Sequence, residues 1–248
     1  MRYGPKFYAS QSGGSAQSAK RLIPLVIRLL KPRSILDVGC GTGSWLRVAK
    51  DNGVPDIFGV DGSWVQEAGL VIPESQFQEC DLLVPFHLRR RFDLVMTLEV
   101  AEHIAPTSAG SFIDSLCSHA DTILFSAALP GQGGRMHVNE QPLSYWVNKF
   151  AQRNYQVTDV LRPHIWDDAE IGPCYRQNMV LFATGERVPA IEAAARSEFG
   201  EGQISLDLAH PQLLRERAEY SSLSRVQRAR LAAKLIISAV HAPYRFSV

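Results

Sequence analysis

Ser34-Ile35-Leu36-Asp37-Val38-Gly39-Cys40-Gly41-Thr42-Gly43 decides how this chain is read: a short apolar run ends at an acid and a valine, and glycines follow at alternate positions. Apolar residues resume at helical spacing from Trp45 to Lys50, and Asn52-Gly53 ends them. The pattern is strand, glycine-rich turn, helix. A turn that leaves a strand and opens a helix offers backbone amides to a ligand, and only glycine lets the ligand come to contact distance. The dinucleotide fingerprint G-x-G-x-x-G would place its third glycine where Ser44 stands, so the spacing departs from the nicotinamide pattern.

Working outward, Ser15 to Leu30 reads as a mostly buried helix, in which Pro24 is expected to produce a kink or a split. Asp56 to Asp61, Phe92 to Leu98 and Thr122 to Ser126 read as further strands separated by helical stretches. Buried apolar strands alternating with helices imply a parallel sheet covered on both faces. Pro142 to Asn154 is expected to be helical, while Gln156 to Val160 and Asn178 to Ala183 are expected to form a closing antiparallel pair. After Gly185 the sequence turns Ala- and Arg-rich, so residues 1–185 are read as one domain and 186–248 as a helical extension. Asp61, ending the second strand, is placed to accept two ribose hydroxyl hydrogen bonds.

The run from Ile35 to Gly43 resembles the first motif of class I methyltransferases, and Asp61 matches that family's ribose-binding acid. Glu79-Cys80-Asp81-Leu82 resembles its third-strand segment, and Thr97 to His103 is similar to the E-x-x-E-H segment of small-molecule members such as quinone-biosynthesis O-methyltransferases. The resemblance spans roughly residues 15–183 and implies a doubly wound, Rossmann-like α/β fold. It also implies S-adenosylmethionine as cofactor, with Asp37, Gly39, Cys40, Gly41, Gly43, Asp61, Gly62, Asp81, Leu82, Leu98 and Glu99 as its binding residues. The segments Ala127 to Gly134, His137 to Gln141, Tyr145-Trp146 and Tyr175 to Asn178 look like those of bacterial methyltransferases of surface-glycan or secondary-metabolite pathways. The implied reaction is methyl transfer to a small-molecule or glycan acceptor at a hydroxyl oxygen. The alternatives are a catalytically silent methyltransferase-like subunit and a nicotinamide-dependent dehydrogenase.

For the chemistry at the acceptor, His103 follows the fourth strand and is expected to take a proton from a substrate hydroxyl, or else to cap a helix or sit buried. His137, Asn139 and Gln141 alternate after a glycine-rich loop and read either as a substrate lid or as a loop bonding its own backbone. Of Glu99 and Glu102, the one nearer the strand end is preferred as a pocket group. Trp166 and Tyr175 are candidate pocket walls, whereas Tyr145, Trp146 and Phe150 recur at helical spacing as core. His103, His137, Asp167 and Asp168 lack ligand spacing such as H-x-x-x-H, so no metal site is expected.

Composition narrows the partners. A net charge of +1 across 248 residues gives no field that would attract nucleic acid. The four scattered cysteines form no C-x-x-C pair, and no apolar run has the length of a secretory or spanning segment, so a cytoplasmic protein is expected. Residues 224–240 carry Arg225, Arg228, Arg230 and Lys234 beside apolar positions. Packing on the domain or on a second copy, as in a homodimer, is favoured there over peripheral membrane contact.

Overall fold

The computed structural model of the chain describes residues 5–202 and His210. Five parallel strands, β1 (Ser34–Val38), β2 (Asp56–Asp61), β3 (Phe77–Glu79), β4 (Leu94–Leu98) and β5 (Thr122–Ser126), build most of a seven-stranded sheet. β6 (Tyr155–Thr158) and β7 (Val180–Thr184) complete the order β3-β2-β1-β4-β5-β7-β6. β7 runs antiparallel to both β5 and β6, so the expected closing pair forms. Asn178 is the exception, since it ends the short helix α7 (Pro173–Asn178).

Side-chain alternation divides the core between the two faces of the sheet. Leu94, Met96, Leu124 and Leu181 point to one cluster, which includes Leu22, Ile23 and Val26 of α1 (Pro5–Leu30) and Leu46 of α2 (Ser44–Asp51). The next residues along the same strands, Val95, Ile123, Phe125 and Phe182, point to the other. There they meet Phe112 of α4 (Ala109–His119) and Trp146 and Phe150 of α5 (Leu143–Ala151). Between β2 and β3 lies α3 (Trp64–Ala68), and after β6 comes α6 (Arg162–Ile165).

One expectation changes. Pro24 lies inside α1 without ending it, because the fully buried residues around it hold the helix on the sheet despite the missing amide. The stretch after Glu186 opens with α8 (Val188–Phe199), whose Val188, Ile191 and Ala195 join the same cluster as α1. Residues 224–240 lie outside the described residues, so their basic face receives no structural account. Among the described residues no helix is long and apolar enough to cross a membrane.

The strand order reverses between β1 and β4, which pair in parallel. In open α/β sheets, ligands bind beyond the carboxyl ends of the strands at such a reversal. The turn after β1 and the segment after β4 therefore face one crevice.

Candidate active site

The crevice is a cleft of about 750 Å³, and its walls are acidic. Asp37, Asp61, Asp81, Glu99 and Glu102 line it, against Arg135 as the one permanent cation among the described residues. A cationic ligand is favoured there as these acids ionise.

At the β1 end, Gly39, Gly41 and Gly43 have φ of 81°, 52° and 88°. A Cβ on Gly39 would lie 2.5 Å from Val100 Cγ2, so the turn and the β4 segment meet too closely for any side chain there. The amide of Gly41 donates to Asp61 Oδ2 at 2.8 Å and that of Gly62 to Oδ1 at 2.7 Å. Burial raises the Asp61 carboxyl to about 6, although those two amides pull it down. Asp37 is pushed up to about 8, by burial first and by Asp61 second. Burial also lifts the Cys40 thiol well above its ordinary range, which makes it a small wall residue.

At the β4 end the chain turns sharply. Glu99 takes φ 56°, and its amide donates to the carbonyl and the hydroxyl of Ser126 at 3.0 and 3.1 Å. Its carboxylate accepts from Gln132 Nε2 at 2.8 Å and Asn178 Nδ2 at 3.1 Å. One turn of 3-10 helix, Ala101–His103, then sets Glu102 inward at 1% exposure. The Glu102 carbonyl accepts from the amides of Val138 and Asn139, both at 2.9 Å, so this turn anchors the loop that carries His137. The His103 and His137 rings meet edge to face with centroids 4.9 Å apart.

Each imidazole is oriented through Nδ1. His103 Nδ1 lies 3.2 Å from the Met136 carbonyl, and His137 Nδ1 lies 2.9 Å from Glu140 Oε1. A carbonyl and a carboxylate only accept, so Nδ1 carries the hydrogen in both rings and Nε2 of a neutral ring carries the lone pair. Glu140 is itself held by the amides of Gly131 and Gly133, each at 2.8 Å. Burial alone would raise Glu140, but His137 and these amides hold it below the ordinary carboxylate range. Burial lowers His103, whereas burial and then Glu99 raise Glu102 well above the usual range.

Asp37, Gly39, Cys40, Gly41, Asp61, Gly62, Asp81, Leu82, Leu98 and Glu99 all line this cleft, as do His103 and His137. Gly43 is not among the lining residues: it packs under Ile72 and caps α2. Asn139 and Gln141 are also absent from the walls, since Asn139 is buried and Gln141 donates to it. Tyr175 reaches the cleft; Trp166 instead packs on His210 with centroids 4.6 Å apart. Asp168 pairs with Arg21. Sequence reading preferred Glu99 to Glu102, yet both reach the cleft, and it gave no part to Gln132, Asn178 or Glu140.

A family model described as a methyltransferase domain matches residues 15–158. The chain belongs to this family. It is a class I, S-adenosylmethionine-dependent methyltransferase, and the dehydrogenase alternative falls with that result. No curated protein matches this methyltransferase. Among solved structures it is similar to the methyltransferase domain of bacterial CtHen1-C, with TM-score 0.52, 20% identity, and coverage of 68% of this chain and 98% of that one. It is also similar to DesVI of Streptomyces venezuelae, with TM-score 0.54, 17% identity and coverage of 72% and 95%. A third similar structure is the sugar N-methyltransferase KedS8 from Streptoalloteichus sp ATCC 53650, with TM-score 0.52, 16% identity and coverage of 70% and 87%. These likenesses establish the shared fold.

Proposed function

We propose that this enzyme methylates a hydroxyl oxygen of a small-molecule or glycan acceptor, with the donor at the β1 end of the cleft and the acceptor at the β4 end. The observation that carries the reading is the pair of imidazoles His103 and His137, each fixed through Nδ1 so that Nε2 is the basic atom. A hydroxyl is a poor nucleophile until its proton is drawn away, whereas a neutral amine needs no such help. Two oriented imidazoles therefore suit an oxygen acceptor.

The donor half fits a cationic cofactor, because two buried acids, Asp37 and Asp61, face it. When bound, S-adenosylmethionine supplies the methyl group. Asp61, already fixed by Gly41 and Gly62, is assigned to the ribose hydroxyls, and Asp37 to the charged methionine part. Asp81, exposed beside Leu82 at the mouth, is assigned to the adenine amino group. Leu98 and Glu99 form the floor where the two halves meet. The narrow turn at Gly39 and the walls around it exclude water and align donor with acceptor, the main requirement of an in-line displacement.

Incubation with radiolabelled methyl donor and a panel of sugars, phenols and hydroxy acids tests this. Label is expected in a base-stable ether, and His103→Ala and His137→Ala are expected to lower kcat at least ~100-fold with cofactor affinity retained. Label found only on amine nitrogen, or wild-type rates in both variants, would contradict it.

A further inference from the structure

We infer that Arg135 holds an oxyanion of the acceptor, a carboxylate or a phosphate, close to the hydroxyl that receives the methyl group; this names a substrate class and rests on the proposed oxygen acceptor.

The strand order sorts charge across the cleft. Asp37, Asp61 and Asp81 stand at or just past the carboxyl ends of β1, β2 and β3, on one side of the reversal between β1 and β4. Arg135 comes from the loop after β5, on the other side, and is exposed in the cleft wall. Burial raises the two acids on that side, Glu99 and Glu102, and lowers His103, so all three favour their uncharged forms. Glu140 keeps its charge, which His137 and the amides of Gly131 and Gly133 engage. A guanidinium is charged at every working pH, so this side presents a fixed positive group opposite three acids.

The loop fixes Arg135 from both directions along the chain. Before it, Gln132 Nε2 donates to Glu99 at 2.8 Å and the Gly133 amide to Glu140 at 2.8 Å. After it, the Met136 carbonyl accepts from His103 at 3.2 Å, and the Val138 amide donates to the Glu102 carbonyl at 2.9 Å. Between these anchors Met136 takes φ 65°, a left-handed conformation that strains a residue with a side chain and persists where its surroundings impose it, as in ligand clamps. A Cβ on Gly134 would lie 2.2 Å from both Cε1 and Nε2 of His137. The chain therefore passes against that ring one residue before Arg135, and consecutive Cα atoms are about 3.8 Å apart. A group held by Arg135 thus belongs to the same small molecule as a hydroxyl at His137.

The chemistry of the cation selects the group. The planar fork of guanidinium N–H donors matches two oxygens of a carboxylate or a phosphate. Hydrogen bonds between charged partners are worth on the order of 10- to 100-fold in affinity. Asp37, Asp61 and Asp81 repel the same oxyanion as they ionise, so the acceptor enters with its anionic end at Arg135 and away from the donor side. Uronic acids, sugar phosphates and hydroxy acids meet these demands. Neutral sugars forgo the contact, and amino sugars oppose it.

The test is calorimetric titration of full-length protein loaded with S-adenosylhomocysteine, at constant ionic strength, with glucose, glucosamine, glucuronate, glucose 6-phosphate and inorganic phosphate. The oxyanions are expected to bind saturably and at least ~10-fold more tightly than glucose. Glucuronate against glucose 6-phosphate tells a carboxylate site from a phosphate site, and either preference supports the assignment. Arg135→Gln should erase the advantage while changing S-adenosylhomocysteine affinity less than ~3-fold, and Arg135→Glu should turn it towards glucosamine. Arg47→Gln, which removes an exposed cation of α2 paired with Asp51, should leave it intact. Circular dichroism on each variant confirms the fold. Absence of saturable oxyanion binding, or an advantage that survives Arg135→Gln, overturns the assignment and leaves the oxygen-acceptor reading standing. Oxyanion binding lost in Arg135→Gln, with radiolabelled methyl found only on amine nitrogen, does the reverse.

Discussion

The amide of Gly41 donates a 2.8 Å hydrogen bond to Oδ2 of Asp61, so the turn after β1 grips the acid that ends β2. Together with Gly62 on the other oxygen, this fixes the carboxylate before any ligand arrives. The cleft is organised by its own backbone, and several consequences can be measured.

Ligand-free stability should carry the mark of Asp37. Its carboxyl is raised from 3.8 to about 8, so the fold favours the protonated form. That contribution is complete below pH 4 and is lost as pH rises through 8. Asp37→Asn is expected to raise the Tm of ligand-free protein by at least about 4 °C at pH 8 and to leave it unchanged at pH 4. Equal Tm values at pH 8 would show that the acid is not strained.

Cofactor affinity should follow the same acid with the opposite benefit. A cationic ligand favours the ionised carboxylate, so binding at neutral pH releases protons and affinity rises between pH 6 and 8. Calorimetry in buffers of different ionisation enthalpy counts the protons, and an affinity flat over this range would remove Asp37 from the donor site.

Gly39 and Gly53 share a left-handed backbone but differ in surroundings, with φ of 81° and 91°. A Cβ at Gly39 would strike Val100, whereas nothing lies within 4 Å at Gly53. Gly53→Ala is expected to cost about 1 kcal/mol from backbone strain, and Gly39→Ala about 3 kcal/mol from strain plus collision. Adding Val100→Ala should recover part of the second loss in urea denaturation; no recovery would show that the collision is not its source.

Arg162 is fully buried and meets Asp159 with three nitrogen–oxygen contacts of 3.0, 3.0 and 2.6 Å, while its Nη1 donates to the Gln177 carbonyl at 2.9 Å. This pair braces the segment that delivers Asn178 to Glu99. Asp159→Ala leaves a buried guanidinium without its carboxylate and is expected to cost about 3 kcal/mol, a Tm drop of roughly 10 °C. Asp159→Asn should lose less, and thermal melts of both separate charge from hydrogen bonding.

The β1 end of the cleft was legible in the sequence because it is made of local signals. Asp37, the glycines and Asp61 sit at strand ends, where periodicity and turn chemistry reveal them without knowledge of the whole fold. Gly43 shares their spacing, but Ile72, which packs against it, comes from a segment that spacing says nothing about. The β4 end is assembled by loops. Glu102 meets His137 only because two amides of the second loop bond its carbonyl, and Asn178 reaches Glu99 from beyond β6.

The central claim is that this cleft holds S-adenosylmethionine through Asp61 at one end and works on an acceptor at the other. Isothermal calorimetry of S-adenosylmethionine against wild type, Asp61→Ala and His137→Ala tests it most directly. One site in the wild type, a loss of at least ~10-fold in Asp61→Ala and a change under ~3-fold in His137→Ala are expected, given about 1.5–3 kcal/mol for hydrogen bonds to a charged group. Unchanged affinity in Asp61→Ala would contradict the account.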